Sequence, residues 1–268
     1  MTDYHVHTSF CDGADDAETV VLSAIEKGVE ILGFSGHSYN PFDVGYCMEK
    51  DTSAYRAEIE RLKKKYKDKI KILCGIEQDL TSGAPEKGFD YVIGSVHHVV
   101  CNGEDIPVDN TKELLQSGIC RHFKGDVYSF CERYYEDVAS LSRTVKPDII
   151  GHFDLVTKFT EKGFLLDEEN PRYVAAYTKA AEKLVLLNVP FEINTGAISR
   201  GYRSAPYPSL SQMKKIAELG GKFILTSDCH SAKTVCFEFE KWRKVARDMG
   251  LCVIDRLQIG RASCRERV

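Results

Sequence analysis

The 268-residue chain has no apolar run near the roughly 18 residues that a membrane-spanning helix needs. It shows no secretory leader pattern either, so the expected setting is cytoplasmic, with no membrane partner. Its ten cysteines include no C-x-x-C pair. In a chain neither short nor secreted, reduced and mostly buried thiols are expected rather than a disulfide framework. No G-x-G-x-x-G or P-loop follows any apolar run, which argues against a nucleotide-binding doubly wound sheet. No nucleophile elbow is present either. Basic residues are not in excess: 36 Lys and Arg face 40 Asp and Glu, a formal net charge of −4. Such a chain is a poor general binder of nucleic acid.

The last ten residues, from Ile259 to Val268, carry no periodicity and resemble a translated sequencing adapter. They are set aside as a non-native tail, with the natural C-terminus expected near Gln258. Three Arg and one Glu lie in that string, so residues 1–258 are more acidic still. Those 258 residues are expected to form one domain, because alternating βα folds often run to 200–250 residues as a single unit.

What is present is a pattern of histidines. His5 and His7 flank Val6, and in a strand side chains two apart share a face. The two imidazoles therefore project together, as a chelating pair does. Five of the other six histidines (His37, His97, His98, His152 and His230) stand at or just after the end of an apolar run. The strands are expected at Tyr4–His7, Ile31–Ser35, Ile70–Ile76, Tyr91–Val96, Ile149–Gly151, Phe191–Asn194 and Phe223–Thr226. Helices are expected at Asp16–Lys27, Ser53–Tyr66, Asp126–Val145, Pro171–Leu187, Ser209–Leu219 and Ala232–Met249. The apolar spacing of Phe130, Tyr134, Val138 and Leu141 marks one helical face. Cys101–Gly125 reads as a long irregular insertion, a candidate lid. The basic run Arg61–Lys71 reads as a solvated helix end. Strands separated by helices imply a parallel sheet. A barrel, whose chemistry sits at the C-terminal strand ends, fits the count.

Each strand end then offers a metal ligand. The first gives His5 and His7, with Asp12 in the following turn, and the second gives His37. The third gives Glu77, the fourth His97, the fifth His152, and the last Asp228 and His230. One Zn²⁺ takes about four ligands, so nine point to two or three metals. His97 shares a strand face with Ile93 and Ser95, whereas His98 faces the other way and is a neighbour that packs or contacts substrate. Cys11 and Cys229, beside proposed ligands, read as packing residues rather than thiolate ligands.

This pattern resembles the polymerase-and-histidinol-phosphatase (PHP) superfamily over almost the whole chain. The resemblance runs from D-Y-H-V-H-T-S-F-C-D-G through G-F-S-G-H-S, G-I-E-Q-D, D-Y-V-I-G-S-V-H, D-I-I-G-H-F-D-L-V-T-K-F and P-F-E-I-N-T-G-A-I-S-R-G-Y-R to S-D-C-H-S. Within the superfamily it looks like the monofunctional L-histidinol-phosphate phosphatases of histidine biosynthesis. The resemblance implies an α/β fold, a distorted (β/α)7 TIM-like barrel, with three divalent metals (Zn, Mn or Fe) at the C-terminal strand ends. It implies that His5, His7, Glu77 and Asp228 hold one metal, and Asp12, His37 and His230 a second. Glu77 bridges to a third, completed by His97 and His152. Many relatives carry Asp directly before the second-strand histidine, where this chain has Gly36.

The expected reaction is hydrolysis of a small phosphate monoester by a hydroxide bridging the metals. Asp228 and His230 are expected to be catalytic as well as ligating. Asp154 is expected to orient a ligand or to protonate the leaving alcohol. Arg200 and Arg203 are candidate phosphate donors, since guanidinium forks suit phosphate. His98 is a candidate substrate contact, and Glu192 and Asn194, which share a strand face, are candidates to orient ligands or to receive the substrate amine. Three rival readings stand beside this one: a PHP-type nuclease, a binuclear amidohydrolase, and a non-catalytic metal-binding module. The first needs a basic aromatic groove, and the second needs a bridging lysine where Glu77 stands. The sequence leaves oligomeric state open.

Overall fold

A computed structural model describes residues 1–258, and the expected tail at 259–268 lies outside the described residues. The first half of the chain runs β1 (Thr2–Asp3), α1 (Ala17–Glu26), β2 (Ile31–Phe34), α2 (Ser53–Lys65), β3 (Lys71–Asp79) and β4 (Tyr91–Ser95). A hairpin, β5 (His98–Cys101) and β6 (Glu104–Pro107), leads into α3 (Lys112–Phe123) and α4 (Val127–Thr144). Then come β7 (Ile149–Ile150), α5 (Pro171–Val185), β8 (Pro190–Asn194), α6 (Gly196–Ser199), α7 (Leu210–Glu218), β9 (Lys222–Thr226) and α8 (Phe239–Asp248).

Seven strands pair in parallel in the order β1-β2-β3-β4-β7-β8-β9. The two edges meet where Val6 bridges Cys229 and the His7 N–H donates to the Cys229 carbonyl at 2.9 Å. The result is the distorted, nearly closed seven-stranded barrel expected from the sequence. Its strands are buried on both faces: every residue of β2, Ile-Leu-Gly-Phe, is covered, as a parallel sheet under helices requires.

A plug of Tyr4, Ile31, Leu73, Tyr91, Ile93, Ile149 and Ile224 fills the barrel interior. Tyr91 is its centre, with its hydroxyl near the carbonyls of Tyr4 (2.5 Å) and Phe34 (3.0 Å). Gly33 and Gly75 make room for it, since a Cβ at either would come within 2.3 Å of the Tyr91 side chain. Outside the barrel, the expected stripe on α4 is buried at Phe130, Tyr134, Val138 and Leu141. Asp126 caps that helix, accepting from the N–H groups of Tyr128 and Ser129.

Three elements depart from the expectation. Regular pairing of the first strand covers only Thr2–Asp3 rather than Tyr4–His7. Beyond Asp3 a side chain shares the pairing: Ser35 N–H donates to the Val6 carbonyl at 3.0 Å, while Val6 N–H donates to Ser35 Oγ at 3.0 Å. The His5 and His7 rings still lie side by side, 5.0 Å apart. The insertion at 101–125 is a hairpin and a helix rather than irregular chain. The cross-strand pair Val99 and Ile106 is fully buried, as is Leu115 on α3, so it packs as a layer. The last helix begins at Phe239 rather than Ala232. Cys236 and Glu238 have positive φ, and Cys236 N–H is drawn off to the buried Asp3 carboxylate at 3.0 Å.

Candidate metal centre

The C-terminal strand ends bring the nine sequence-selected ligands into one cluster. Glu77, near the end of β3, stands at its middle and is 1% exposed. Its Oε2 lies 3.1 Å from His5 Nε2, 3.5 Å from His7 Nε2 and 2.9 Å from His37 Nδ1. Its Oε1 lies 2.8 Å from His152 Nε2 and 3.4 Å from His97 Nε2. Asp228, just past β9, places Oδ1 3.2 Å from His7 Nε2 and 3.6 Å from His5 Nε2. Asp12, in the loop after His7, reaches His230 Nε2 at 3.1 Å and His37 Nε2 at 3.6 Å.

Among the described residues three donor groups emerge, each with its ligand atoms within 4.8 Å of one another: His5, His7 and Asp228; His7, Asp12, His37 and His230; and His37, Glu77 and His97. His7 and His37 thus each stand in two groups. His152 joins the cluster through Glu77.

The chemistry of these donors fits divalent metal ions. His5 Nε2, His7 Nε2, Asp12 Oδ1 and Glu77 Oε2 are buried and make no hydrogen bond, although polar neighbours crowd each of them. They point at shared centres rather than at one another. Each such group costs about 1–3 kcal/mol if nothing satisfies it, and cations at those centres remove the cost. Imidazole with carboxylate suits Zn, Mn and Fe.

Other side chains orient the ligands, as metal sites require. Glu192 Oε1 accepts from His5 Nδ1 at 2.6 Å, while its Oε2 accepts from His152 N–H at 2.8 Å and from Asn194 Nδ2 at 3.1 Å. Asp79 Oδ2 holds His97 through ring Nδ1 (3.0 Å) and backbone N–H (2.8 Å). The Asp228 carbonyl is 3.0 Å from His230 Nδ1. At Gly36 a Cβ would fall 2.9 Å from Met48 Sδ, so the Met48 thioether takes the space beside His37.

The charges are tightly coupled. Burial works against ionisation at Glu77, yet His5, His37 and His97 hold its pKa well below the usual range. Burial also opposes the charge on Asp228, which Arg200 and His5 hold well below normal. Burial, with His230 and His37 adjacent, lowers His7 to about 3. His5, His37 and His97 are desolvated too, but carboxylates raise all three above an ordinary histidine. Burial pushes the Cys11 thiol up to about 12 and raises Cys229 as well.

A cavity of about 250 Å³ opens over the cluster. His98 and Arg200 line it. Arg200 is anchored by Nη1 to the Asp228 carbonyl (2.8 Å) and by Nη2 to Asp228 Oδ2 (3.1 Å), with Nη1 2.7 Å from His230 Nδ1. His98 is raised to about 9: burial opposes the charge, and Asp105 and Asp43 outweigh it. The other candidates sit elsewhere. Glu192 and Asn194 lie beneath the histidines, fully covered, and support ligands instead of facing substrate. Arg203 and Asp154 are buried behind the cavity, facing each other at 3.5 Å. The hairpin that replaces the irregular insertion contributes Pro107 to the cavity wall, and Asp109 follows.

Sequence reasoning missed Asp43, Tyr46, Asp109, Lys158 and Tyr202 in that wall. Lys158 donates to Asp109 Oδ2 at 3.1 Å and sits 4.7 Å over the Tyr202 ring. Only the placement of Lys158, six residues after His152, offered a signal. The rest reach the cavity from loops whose path is set by tertiary packing.

Residues 3–196 match the PHP domain family. A Schizosaccharomyces pombe protein named "Probable histidinol-phosphatase" is 28% identical, covering 94% of this chain and 89% of the relative. The Lactococcus lactis histidinol-phosphatase is 27% identical, covering 92% and 91%. The fold matches the crystal structure of the Lactococcus lactis histidinol phosphate phosphatase complexed with zinc, L-histidinol and phosphate. That match has a TM-score of 0.72 at 23% identity and covers 94% of this chain and 95% of the other.

Proposed function

Because the chain belongs to the PHP domain family, we propose that it is a histidinol-phosphatase, hydrolysing L-histidinol phosphate to L-histidinol and phosphate. One observation carries the reading: nine nitrogen and oxygen ligands, several unpaired and buried, converge on shared centres under a small cavity. Relatives bearing that name match along nearly their full length, which supports the same assignment.

We assign three divalent ions to the cluster. His5, His7, Glu77 and Asp228 hold one, Asp12, His37 and His230 a second, and Glu77, His97 and His152 the third. His7 and His37 lie close enough to the neighbouring groups to be shared. Bound there, the ions supply an activated water near neutral pH and neutralise charge on phosphate and leaving oxygen.

The chain's own residues do the rest. Arg200 turns part of its guanidinium to the cavity and offers donors to a phosphate oxygen, while its other contacts hold Asp228 and His230. Glu192 and Asp79 fix which nitrogen of His5 and His97 faces inward. The cavity of about 250 Å³ over the cluster suits a small phosphate monoester. The acidic composition points the same way.

The test is phosphate release from L-histidinol phosphate by residues 1–258 with Zn²⁺ or Mn²⁺, beside His97→Ala and a panel of other phosphate monoesters. Selective release that collapses in His97→Ala is expected. Bound metal without release from any ester would refute the assignment and favour a metal-binding module.

A further inference from the structure

His152 differs from two other histidines of the cluster. His5 and His97 each have a carboxylate acceptor on the nitrogen turned away from Glu77: Glu192 and Asp79. His152 does not. Its Nε2 is 2.8 Å from Glu77 Oε1, and its Nδ1 is buried with no partner. A ligating histidine almost always passes its outer N–H to an acceptor.

Beside His152 lies a second set of buried groups with the same property. Asp154 is fully covered. Its Oδ2 accepts from Ser209 N–H at 2.9 Å and faces Arg203 Nη1, while its Oδ1 has no partner. Arg203, 7% exposed, donates through Nη1 to Thr157 Oγ1, and its Nε is unpaired. Tyr207, 1% exposed, has an unpaired hydroxyl. The Tyr207 ring centroid is 6.3 Å from that of His152, and the Arg203 guanidinium stands 4.9 Å over the Tyr207 ring.

Tyr207 is held rigidly. Its carbonyl accepts from Asn194 N–H at 2.8 Å, and its own N–H donates to the Asn194 carbonyl at 3.0 Å. That pins it to the end of β8, whose Glu192 carboxylate already accepts from the His152 backbone.

The unpaired atoms are complementary. His152 Nδ1–H and Arg203 Nε–H donate, Asp154 Oδ1 accepts, and the Tyr207 hydroxyl does both. Four such atoms left unsatisfied in one buried region would each carry a substantial cost. Buried water meets about three polar partners on average and fills this role in folded proteins.

We propose that Tyr207 and Asp154 are positioning residues for His152, joined to its outer nitrogen through a buried water and steadied by Arg203. This rests on the reading that His152 is a metal ligand. It gives Asp154 a task suited to its burial and assigns one to Tyr207.

The test is zinc binding by residues 1–258, titrated against a competing chromophoric chelator, with metal content per chain measured after dialysis. Tyr207→Phe and Asp154→Asn are compared with wild type and His152→Ala. His152→Ala is expected to lose one zinc. Tyr207→Phe is expected to weaken one zinc by about 10–100-fold, the usual effect of losing such a partner, and to leave the others within twofold. Asp154→Asn, which keeps an acceptor oxygen, is expected to lose less. Metal-free Tyr207→Phe should melt close to wild type, because a purely structural tyrosine would lower melting without a one-site loss. Wild-type affinity at every site in Tyr207→Phe, or equal weakening at all sites, would overturn the pairing. A full zinc complement in His152→Ala would overturn the ligand reading as well, and that outcome is distinct from the first two.

Discussion

Replacing Glu192 by Gln tests whether buried outer contacts set metal affinity. The Glu192 carboxylate is 1% exposed and accepts from three donors: His5 Nδ1 at 2.6 Å, His152 N–H at 2.8 Å and Asn194 Nδ2 at 3.1 Å. Glutamine has the same shape but one acceptor oxygen. If the oxygen faces His5, the amide NH₂ meets the His152 N–H and the Asn194 amide; if it turns the other way, NH₂ meets His5 Nδ1–H. Either way a buried donor loses its acceptor, which costs about 1–3 kcal/mol. That cost falls on the folded protein, and loss of such an outer partner is expected to weaken zinc about 10- to 100-fold at the site His5 serves. The assay is chelator competition on Glu192→Gln and wild type at fixed pH, with circular dichroism to confirm that both are folded. Affinity within twofold of wild type in a folded variant would refute the reasoning, because it would mean that the orientation of His5 does not depend on this carboxylate.

Arg200→Met removes a cavity donor and the clamp on Asp228. Steady-state kinetics should show kcat/KM lower by about 10²-fold or more, with Arg200→Lys recovering only part. Gly75→Ala would drive a Cβ to 2.3 Å from the Tyr91 ring. Overpacking of that kind costs about 1–3 kcal/mol, so calorimetry should find Tm lower by about 2–12 °C. His5, His37 and His97 are raised above the ordinary histidine value before metal binds. They hold their protons to higher pH than an ordinary histidine does, and a metal must displace those protons. Apparent zinc affinity should therefore rise with pH through neutrality, and calorimetry in buffers of different ionisation enthalpy should detect proton release. No buffer dependence would contradict those raised values.

That these side chains would gather was legible because the signals are local. A histidine or carboxylate at the end of an apolar run needs only strand periodicity and the rule that barrel chemistry sits at C-terminal strand ends. His5, His7, His37, Glu77, His97, His152, Asp228 and His230 all obey it. The seven-fold alternation of strand and helix was legible for the same reason, since apolar period and length are properties of contiguous residues. Element edges were less so. The helix placed at Ala232 starts at Phe239 because Asp3, more than two hundred residues away, takes the Cys236 N–H.

The roles of the remaining polar residues belong to the tertiary structure alone. Arg200 and Arg203 are three residues apart and chemically alike, yet one lines the cavity and the other is buried against Asp154. Glu192 and Asn194 share a strand face with the right chemistry for a substrate. Barrel closure puts that face under His5 and His152 instead of over them. Composition and spacing determined which atoms are available to bind metal and roughly where along the chain they stand. Which side of the cluster each supporting group occupies follows from how seven twisted strands close around Tyr91, and that is a long-range packing outcome that no local pattern encodes.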